Sequence, residues 1–203
     1  MHKEELFRSD IFLVHEFFSP DECRHYIWLS ESAGYDDAPI NAGAAGQIIR
    51  KDVRNNDRVM VDDRELAETF WQRAKPFIPE TIGGWHAVGL NERLRFYRYD
   101  PGQRFSWHFD GAFERSPLEQ SHLTFMVYLN DDFEGGETQF NPKLYGRIQD
   151  SDSTFQVKPV AGTLLVFTHR VLHQGATVTK GRKYVLRSDV MYRHESADRH
   201  AIE

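Results

Sequence analysis

The triplet His108-Phe109-Asp110 places an imidazole and a carboxylate two residues apart. Successive side chains of a β-strand point to opposite faces, so on a strand His108 and Asp110 would share one face. Trp107 and Phe109 would then point to the other side. Two histidines and one carboxylate on one face of an octahedron are the ligand set of mononuclear iron(II) oxygenases. The triplet predicts two such ligands, although it is a weak signal by itself because the chain contains 10 histidines.

A third ligand would have to come from a histidine that is distant in sequence and brought close by the fold. His173 fits best, because it follows the hydrophobic segment 162–169 and precedes Gln174-Gly175, where the chain can turn tightly. His169, at the end of that segment, is the competing candidate.

The elements that position these residues fall into a helical part and a strand-rich part. Ser19, Pro20 and Glu22 form an N-cap, a first helical position and a capping box, which predict a helix from there to about residue 32. A second helix is predicted from Asp63 onward by apolar residues at spacings of three and four, namely Leu66, Phe70, Ala74, Phe77 and Ile78. Residues 35–52, rich in Gly and Ala, are predicted to form a loop.

After residue 80 the apolar residues alternate with a period of two, which is typical of strands. The predicted strands are 93–99, 104–110, 122–129, 137–140, 154–159, 162–169, 176–178 and 182–192, with another at 10–18. Turn residues separate them, for example Asp100-Pro101-Gly102 and Gly135-Gly136. The pattern predicts an antiparallel sandwich or jelly roll with the two helices bracing one sheet from outside.

The composition favours a single soluble domain. The chain has 203 residues, of which 40% are hydrophobic and 28% charged, a balance that argues against disorder and against a membrane protein. The net charge of −6 gives no general footprint for nucleic acid, so no nucleic-acid partner is expected. Cys23 is the only cysteine, which excludes an intramolecular disulfide. The charged start has no secretory pattern, so we expect a cytoplasmic protein and leave its oligomeric state open.

Three segments resemble the prolyl 4-hydroxylase-like branch of the 2-oxoglutarate/iron(II)-dependent dioxygenases. They are residues 99–110 (YDPGQRFSWHFD), 124–140 (TFMVYLNDDFEGGETQF) and 162–184 (GTLLVFTHRVLHQGATVTKGRKY). Because all three occur in the family's order and spacing, the resemblance is specific. It implies a mainly β fold with N-terminal helices, that is, a double-stranded β-helix or jelly roll. One oxygenase domain would span 1–203, with helical support at about 19–80 and the jelly-roll core at about 84–192.

The resemblance also implies roles for individual residues. His108, Asp110 and His173 match the iron ligands, and Lys183, ten residues after His173, matches the base that pairs with the distal carboxylate of 2-oxoglutarate. A dianion entering an apolar barrel needs a fixed cation, because an unpaired buried charge is costly. Arg187, on the same face by parity, is the second candidate for that cation, whereas Arg182 points the other way.

Other implied site residues and cofactors are less closely defined. Tyr99 and Tyr128 match positions whose hydroxyl meets the co-substrate, and both could equally be core tyrosines. The cofactors implied are Fe(II), 2-oxoglutarate and O2, with ascorbate as a candidate reductant. The expected reaction is hydroxylation of an unactivated C–H bond with release of succinate and CO2.

The expected substrate is a peptide or a small molecule, with a prolyl residue, a free amino acid, another small metabolite and a different protein side chain as candidates. The polar segment 50–58 precedes the metal strand, and its Arg54, Asn55, Asp57 and Arg58 are candidate substrate ligands. A solvated charged loop is an equal interpretation of this segment. Two rival functions remain: a cupin-like metal enzyme, disfavoured because Asp110 stands where a cupin has a second histidine, and a non-catalytic binding module on the same fold.

Overall fold

The computed structural model describes residues 1–41, 46–142 and 154–196. The predicted loop at 35–52 therefore lies partly outside the described residues. The first half of the chain forms strands β1 (His2–Phe7) and β2 (Ile11–His15), helix α1 (Pro20–Ala33), strands β3 (Asp36–Asp37), β4 (Ile40–Asn41), β5 (Gln47–Ile48) and β6 (Asp57–Asp62), helix α2 (Arg64–Ala74) and a 3-10 turn (Lys75–Phe77).

The remainder is made of strands. They are β7 (Thr81–Ile82), β8 (Trp85–Leu90), β9 (Arg93–Tyr99), β10 (Phe105–His108), β11 (Glu114–Ser116), β12 (Glu119–Tyr128), β13 (Glu134–Gly135), β14 (Thr138–Asn141), β15 (Phe155–Val157), β16 (Leu164–Thr168), β17 (Leu172–Gly175), β18 (Val178–Lys180) and β19 (Lys183–His194). The prediction of a mainly β fold is confirmed.

The strands form a large and a small antiparallel sheet. The main sheet has 11 strands, with β1-β2-β16-β12-β19-β9-β6-β3 as its path and β7, β8 and β11 attached to it. The minor sheet has the order β10-β17-β14-β15, and β13 pairs with β18. This is the predicted jelly-roll arrangement. Strand β19 lies at the centre of the main sheet, because it pairs with β12, β9 and β8.

Both helices start and pack as their sequences predict. The Ser19 side chain accepts a hydrogen bond from the Glu22 amide, and the Glu22 carboxylate accepts one from the Ser19 amide, which completes the capping box. Glu22 also pairs with Arg73 of α2 at 2.7 Å, so the cap ties the helices together. The buried faces of α1 and α2 pack on one face of the main sheet around Phe125. Neither α1 nor α2 has the length and apolarity needed to span a membrane.

The second core lies between the main and minor sheets. It contains Tyr97, Tyr99, Tyr128 and Val185 from the main sheet, together with Phe140 from the minor sheet. Alternation along each strand separates the two cores: on β9, for example, Leu94 and Phe96 face the helices. The site side of the main sheet is therefore the side that faces the minor sheet.

Several sequence predictions differ from the structure. Part of the predicted loop at 35–52 forms the short strands β3, β4 and β5, and β6 begins at the end of the polar segment 50–58. Strands β1, β7, β8, β11 and β13 were not predicted. His173 was expected after a strand, yet it lies on its own strand, β17. The strand predicted over 104–110 is shorter in the structure, where it spans Phe105–His108, and its register against β17 is irregular between these two residues.

Gly162 links the helical layer to the main sheet, and substituting it tests how tightly the two are packed. Its amide donates to Tyr128 O and its carbonyl accepts from the Phe18 amide. Its φ is +78°, and a Cβ there would lie 2.2 Å from Phe18 O. In Gly102, φ is +86° but a Cβ would meet nothing within 4 Å. We expect Gly102→Ala to cost roughly 1–2 kcal/mol of unfolding free energy from backbone strain. Gly162→Ala should lose about 1–3 kcal/mol more, from overpacking.

Urea unfolding of both variants and the wild type measures this difference. Equal losses for Gly162→Ala and Gly102→Ala would mean that the helical layer yields and that the contact with Phe18 does not constrain the fold.

Candidate metal and co-substrate site

The pairing of β10 with β17 brings the two candidate histidines together. In this antiparallel ladder His108 lies directly opposite His173, and Phe105 lies opposite Gly175. Directly opposed residues have their Cβ atoms about 4.5–5.5 Å apart on one face. The imidazole ring centroids are 4.2 Å apart. The register of one short ladder therefore positions two of the three candidate ligands.

Asp110 follows two residues after β10 and completes the group. Its Oδ1 lies 3.7 Å from His108 Nε2, and its Oδ2 lies 3.6 Å from His173 Nε2. The three ligand atoms all lie within 4.8 Å of one another. Trp107 is exposed and does not line the cavity that His108, Phe109 and Asp110 share. Because β10 ends at His108, strand parity does not extend to Phe109 and Asp110. A single ion could contact all three atoms, and the donor set of two histidines and a carboxylate suits non-haem iron(II).

Backbone carbonyls fix the histidine tautomers. His108 Nδ1 lies 2.7 Å from Ser106 O, and His173 Nδ1 lies 3.0 Å from Val171 O. A carbonyl only accepts, so each Nδ1 carries the proton and donates it. The lone pair is then on Nε2, the atom that faces Asp110 in both rings. Carbonyl acceptors of this kind orient the histidines of metal sites.

The protonation states of His173 and Asp110 also suit a cation. Burial lowers the pKa of His173 to about 3, although Asp110 acts in the opposite direction. Burial would raise the pKa of Asp110, but the Arg187 guanidinium outweighs it and holds that pKa well below its ordinary value. At neutral pH the site therefore offers a neutral imidazole at His173 and an ionised carboxylate, the forms that bind metals.

Asp110 is held by polar groups from the centre of the main sheet. Thr124 on β12 donates to its Oδ2 at 2.5 Å, and Arg187 on β19 lies 3.0 Å from the same oxygen. Arg187 also pairs with Asp189 at 3.2 Å, and Asp189 pairs with Arg95 at 2.9 Å. In the described part of the chain, neither a hydroxyl nor a guanidinium group contacts Oδ1, which faces His108 Nε2. The contacts at Oδ2 orient the carboxylate and restrict its rotation.

His169 lies outside this group. Its side chain is buried, and its Nε2 is 3.7 Å from Asp189 Oδ1. The cluster of metal-ligating atoms found among residues 1–41, 46–142 and 154–196 contains His173 and not His169. The structure thus brings together the three residues preferred from the sequence, and His169 reaches the site only through Asp189 and Arg187.

Lys183 forms a second, deeper cation position. It is 3% exposed, and its Nζ donates to Gly136 O at 2.6 Å. The Nζ atom lies 5.3 Å from the ring centroid of Tyr99 and 5.4 Å from that of Tyr128. No carboxylate pairs with it among the described residues. Burial lowers the pKa of Lys183 to about 7. A buried ammonium without a counter-ion suits the uptake of a carboxylate.

The other candidates for this position have different partners. Arg187, four residues further along β19, contacts Asp110 instead and lies about 13 Å along the strand from Lys183. Arg182 is on the opposite face and pairs with Asp100 at 2.6 Å. The Tyr128 hydroxyl is 2.7 Å from Thr138 Oγ1. Tyr99 and Tyr128 thus line the Lys183 position with their rings.

A cavity of about 410 Å³ opens beside the three ligand residues. Among its lining residues are His108, Asp110, Tyr97, Arg54, Arg58 and Arg187. Asn55 and Asp57, both expected from the sequence to bind substrate, do not line this cavity. The Asn55 side chain bonds to the backbone of Gly102 and Arg104, and Asp57 pairs with Arg98 at 3.0 Å. Both have structural contacts instead, because alternation along β6 turns Asp57 away from Arg58.

Comparison with known proteins gives a match to one family model. Residues 94–188 match the model of the 2OG-Fe(II) oxygenase superfamily, a region that contains all three ligand residues and Lys183. The match covers just under half of the chain, and the family's description names 2-oxoglutarate and iron(II).

The chain is also similar to prolyl 4-hydroxylases. It is 27% identical over 183 residues to probable prolyl 4-hydroxylase 7 of Arabidopsis thaliana, covering 82% of this chain and 54% of that protein. It is also 27% identical over 196 residues to prolyl 4-hydroxylase 1 of the same plant, covering 86% and 66%. The chain thus spans about half to two thirds of the length of these curated relatives.

Solved structures support the same fold. A viral collagen prolyl hydroxylase of Paramecium bursaria Chlorella virus-1, solved as a 2OG complex, superposes with a TM-score of 0.62 at 21% identity, covering 90% of this chain and 96% of that one. A Trichoplax adhaerens prolyl hydroxylase in complex with a hypoxia-inducible-factor peptide fragment superposes with a TM-score of 0.69 at 13% identity, covering 97% and 88%.

Thr124, Asp189 and Arg95 contribute to the site without having been predicted from the sequence. Thr124 is the first residue of the family-like segment 124–140, so the resemblance could have identified it as a site residue. The roles of Asp189 and Arg95 depend on the pairing of β9, β12 and β19, which motif spacing does not specify.

The geometry predicts which histidine substitution removes metal binding. His173→Ala and His108→Ala should each weaken Mn(II) or Co(II) binding by at least about 100-fold, since the loss of outer contacts alone costs 10–100-fold. His169→Ala is the matched control and should retain the wild-type affinity within a few-fold. Titration calorimetry under nitrogen measures these affinities. Retained affinity in His173→Ala together with loss in His169→Ala would make His169 the third ligand.

Proposed function

We propose that this protein is an iron(II)- and 2-oxoglutarate-dependent hydroxylase in which His108, Asp110 and His173 hold the iron. The observation that carries the proposal is the convergence of the two Nε2 atoms and the carboxylate, all within 4.8 Å, with both tautomers fixed by backbone carbonyls. The family match supports the same conclusion. When bound, iron(II) supplies oxygen activation coupled to conversion of 2-oxoglutarate into succinate and CO2, with one oxygen atom transferred to a substrate C–H bond.

Arg187 and Thr124 act as positioning residues in this proposal. They bind Asp110 Oδ2 and leave Oδ1 on the His108 side available. Because Arg187 balances the carboxylate, Asp110 remains ionised although it is buried. Asp189 and Arg95 in turn hold Arg187. The protein thus contributes a fixed ligand geometry in an environment with little water.

Lys183 binds the distal carboxylate of 2-oxoglutarate in this proposal. Its Nζ is buried between aromatic rings with one backbone acceptor, so a carboxylate would supply its missing counter-charge. Gly136 leaves room for the lysine stem, since a Cβ there would lie 3.2 Å from Lys183 Cδ. Tyr99 and Tyr128 would pack against the co-substrate chain and exclude water from it.

The substrate is proposed to be a prolyl residue of a peptide or a free amino acid. The named relatives are prolyl 4-hydroxylases, and one solved neighbour holds a peptide fragment. Segment 46–58 contributes Gln47, Val53, Arg54 and Arg58 to the lining of the cavity beside the ligands, so it would contact either kind of molecule there.

The reaction itself gives a direct test. Protein supplied with iron(II), 2-oxoglutarate, oxygen and ascorbate should release succinate, while Asp110→Asn should lower the rate by at least about 100-fold because a ligand is lost. Asp21→Asn is the matched control: Asp21 is exposed on α1, where it pairs with Arg24, and its loss should leave the rate unchanged. Mass spectrometry quantifies the succinate. Firm metal binding without any succinate, with peptides or amino acids present, would instead support a non-catalytic module.

The pKa of Lys183 predicts how co-substrate affinity changes with pH. A value of about 7 means that the lysine loses its proton as pH rises through 7 in the empty protein. Since a carboxylate binds the protonated form, the dissociation constant for 2-oxoglutarate should rise about tenfold per pH unit above pH 7. Lys183→Arg keeps the charge at all these pH values and should give a flat profile.

Calorimetry with the Zn(II)-loaded protein between pH 7 and 8.5 measures both profiles. A wild-type affinity that is independent of pH would show that Lys183 does not pair with the co-substrate.

A further inference from the structure

Two arginines in the cavity beside the ligand residues have no carboxylate partner among the described residues. They are Arg54, on the segment before β6, and Arg58, on β6. The other arginines that line the cavity have carboxylate partners: Arg93 pairs with Asp62, Arg95 with Asp189, and Arg187 with Asp110 and Asp189. The cavity therefore carries an excess of positive charge that the protein itself does not balance.

Arg54 is rigidly placed although it lacks a counter-ion. It is 5% exposed, and its guanidinium lies between the rings of Tyr97 and Phe105, 4.4 Å from each centroid. Its Nε donates to Asn56 Oδ1 at 2.8 Å, while its buried Nη2 has no hydrogen-bond partner. A buried guanidinium with an unused donor is costly unless something pairs with it. A stacked, pre-oriented guanidinium is well suited to bind a planar carboxylate.

Arg58 adds a second donor to the same space. Its guanidinium contacts Gln47 Oε1 at 3.4 Å, a weak hydrogen bond to a neutral group. Arg58 lies opposite Tyr97 in the β6–β9 ladder, and Tyr97 carries Arg54 on its ring face. The pair is thus assembled from two neighbouring elements around one aromatic side chain.

These arginines are separate from the proposed co-substrate position. Lys183 does not line this cavity, whereas His108 and Asp110 do. The cavity therefore adjoins the reacting centre but has its own cations. Two anions could then be bound at once, one at Lys183 and one at the arginines.

We infer that Arg54 and Arg58 bind a carboxylate group of the substrate and so hold the substrate next to the three ligand residues. This inference rests on the proposed function for the role of the cavity, but the anion site can be measured without turnover. The carboxylate could belong to a free amino acid or other small acid, or to a peptide. Uncharged substrates would leave both guanidinium groups unpaired and would bind weakly.

The anion site is tested by fluorine NMR titration of trifluoroacetate into Zn(II)-loaded protein saturated with N-oxalylglycine, an unreactive analogue of 2-oxoglutarate. Arg58→Gln and Arg54→Met should each weaken trifluoroacetate binding by at least about tenfold, as expected for loss of a charged hydrogen bond. Arg58→Lys should restore part of the affinity. Arg104→Gln is the matched control, because Arg104 is exposed outside the cavity and also has no carboxylate partner in the described part of the chain.

Two results of the titration would overturn the inference. One is trifluoroacetate affinity that is equal in the wild type, Arg54→Met and Arg58→Gln, or no saturable binding in any of them. The other is loss of N-oxalylglycine affinity in the arginine variants but not in Lys183→Met, which would assign the arginines to the co-substrate. Repeating the titration with metal-free protein keeps the test valid if metal loading fails.

Succinate release then distinguishes the sources of the carboxylate. Free amino acids are compared with their carboxamides, and prolyl peptides with a free C-terminus are compared with amidated ones. If the free amino acid stimulates succinate release and its carboxamide does not, the carboxylate belongs to a small acid. If the peptide with a free C-terminus stimulates release and the amidated peptide does not, the carboxylate belongs to a peptide. Equal stimulation by acid and amide in both pairs would contradict the inference. If no succinate forms under any condition, the proposed function fails, while the fluorine titration still decides the anion site.

Discussion

The register of the β10–β17 ladder is the constraint on which the metal site depends. Because side chains alternate along a strand, a slip of one residue would turn His173 to the opposite face and separate it from His108. The ladder is short and irregular, so it does not fix its own register strongly. Pairing of β14 with β17, where Phe140 lies opposite His173 inside the inter-sheet core, provides additional constraint. The apolar packing between the sheets therefore determines where a polar, chemically active group sits.

The distribution of charge follows from that arrangement. Asp110 is a buried anion, and a buried anion persists only where cations and donors offset its desolvation. Arg187 supplies that compensation and is itself balanced by Asp189, so the centre of the main sheet contains a closed set of ion pairs. Lys183, Arg54 and Arg58 are outside this set. The distinction between balanced and unbalanced cations separates residues that hold the site from residues available to ligands.

The sequence predicted those parts of the molecule that are determined locally. The capping box at Ser19 and Glu22 and the apolar spacing of α2 predicted both helices, and a period of about two in the apolar residues marked β9 and β19. Strand β6 was missed because its apolar residues Val59, Met60 and Val61 are consecutive and do not alternate, and β17 because it has four residues, one of them Gly175. Parity correctly placed Arg187 on the face of Lys183. It could not tell which anion Arg187 would meet, because that depends on the register of β19 against β12 and on the position of Asp110.

The central position of β19 bears on how the molecule is made. Ribosomal synthesis delivers the chain from its N-terminus, and β19 follows every other strand described here while pairing with β8, β9 and β12. Until residues 183–194 have emerged, the middle of the main sheet is missing, and β9 and β12 expose unpaired edges and apolar faces. Such intermediates tend to aggregate, and closure of long-range antiparallel ladders is slow. We therefore expect folding to be completed only after β19 has left the ribosome, with chaperones shielding the open sheet before then.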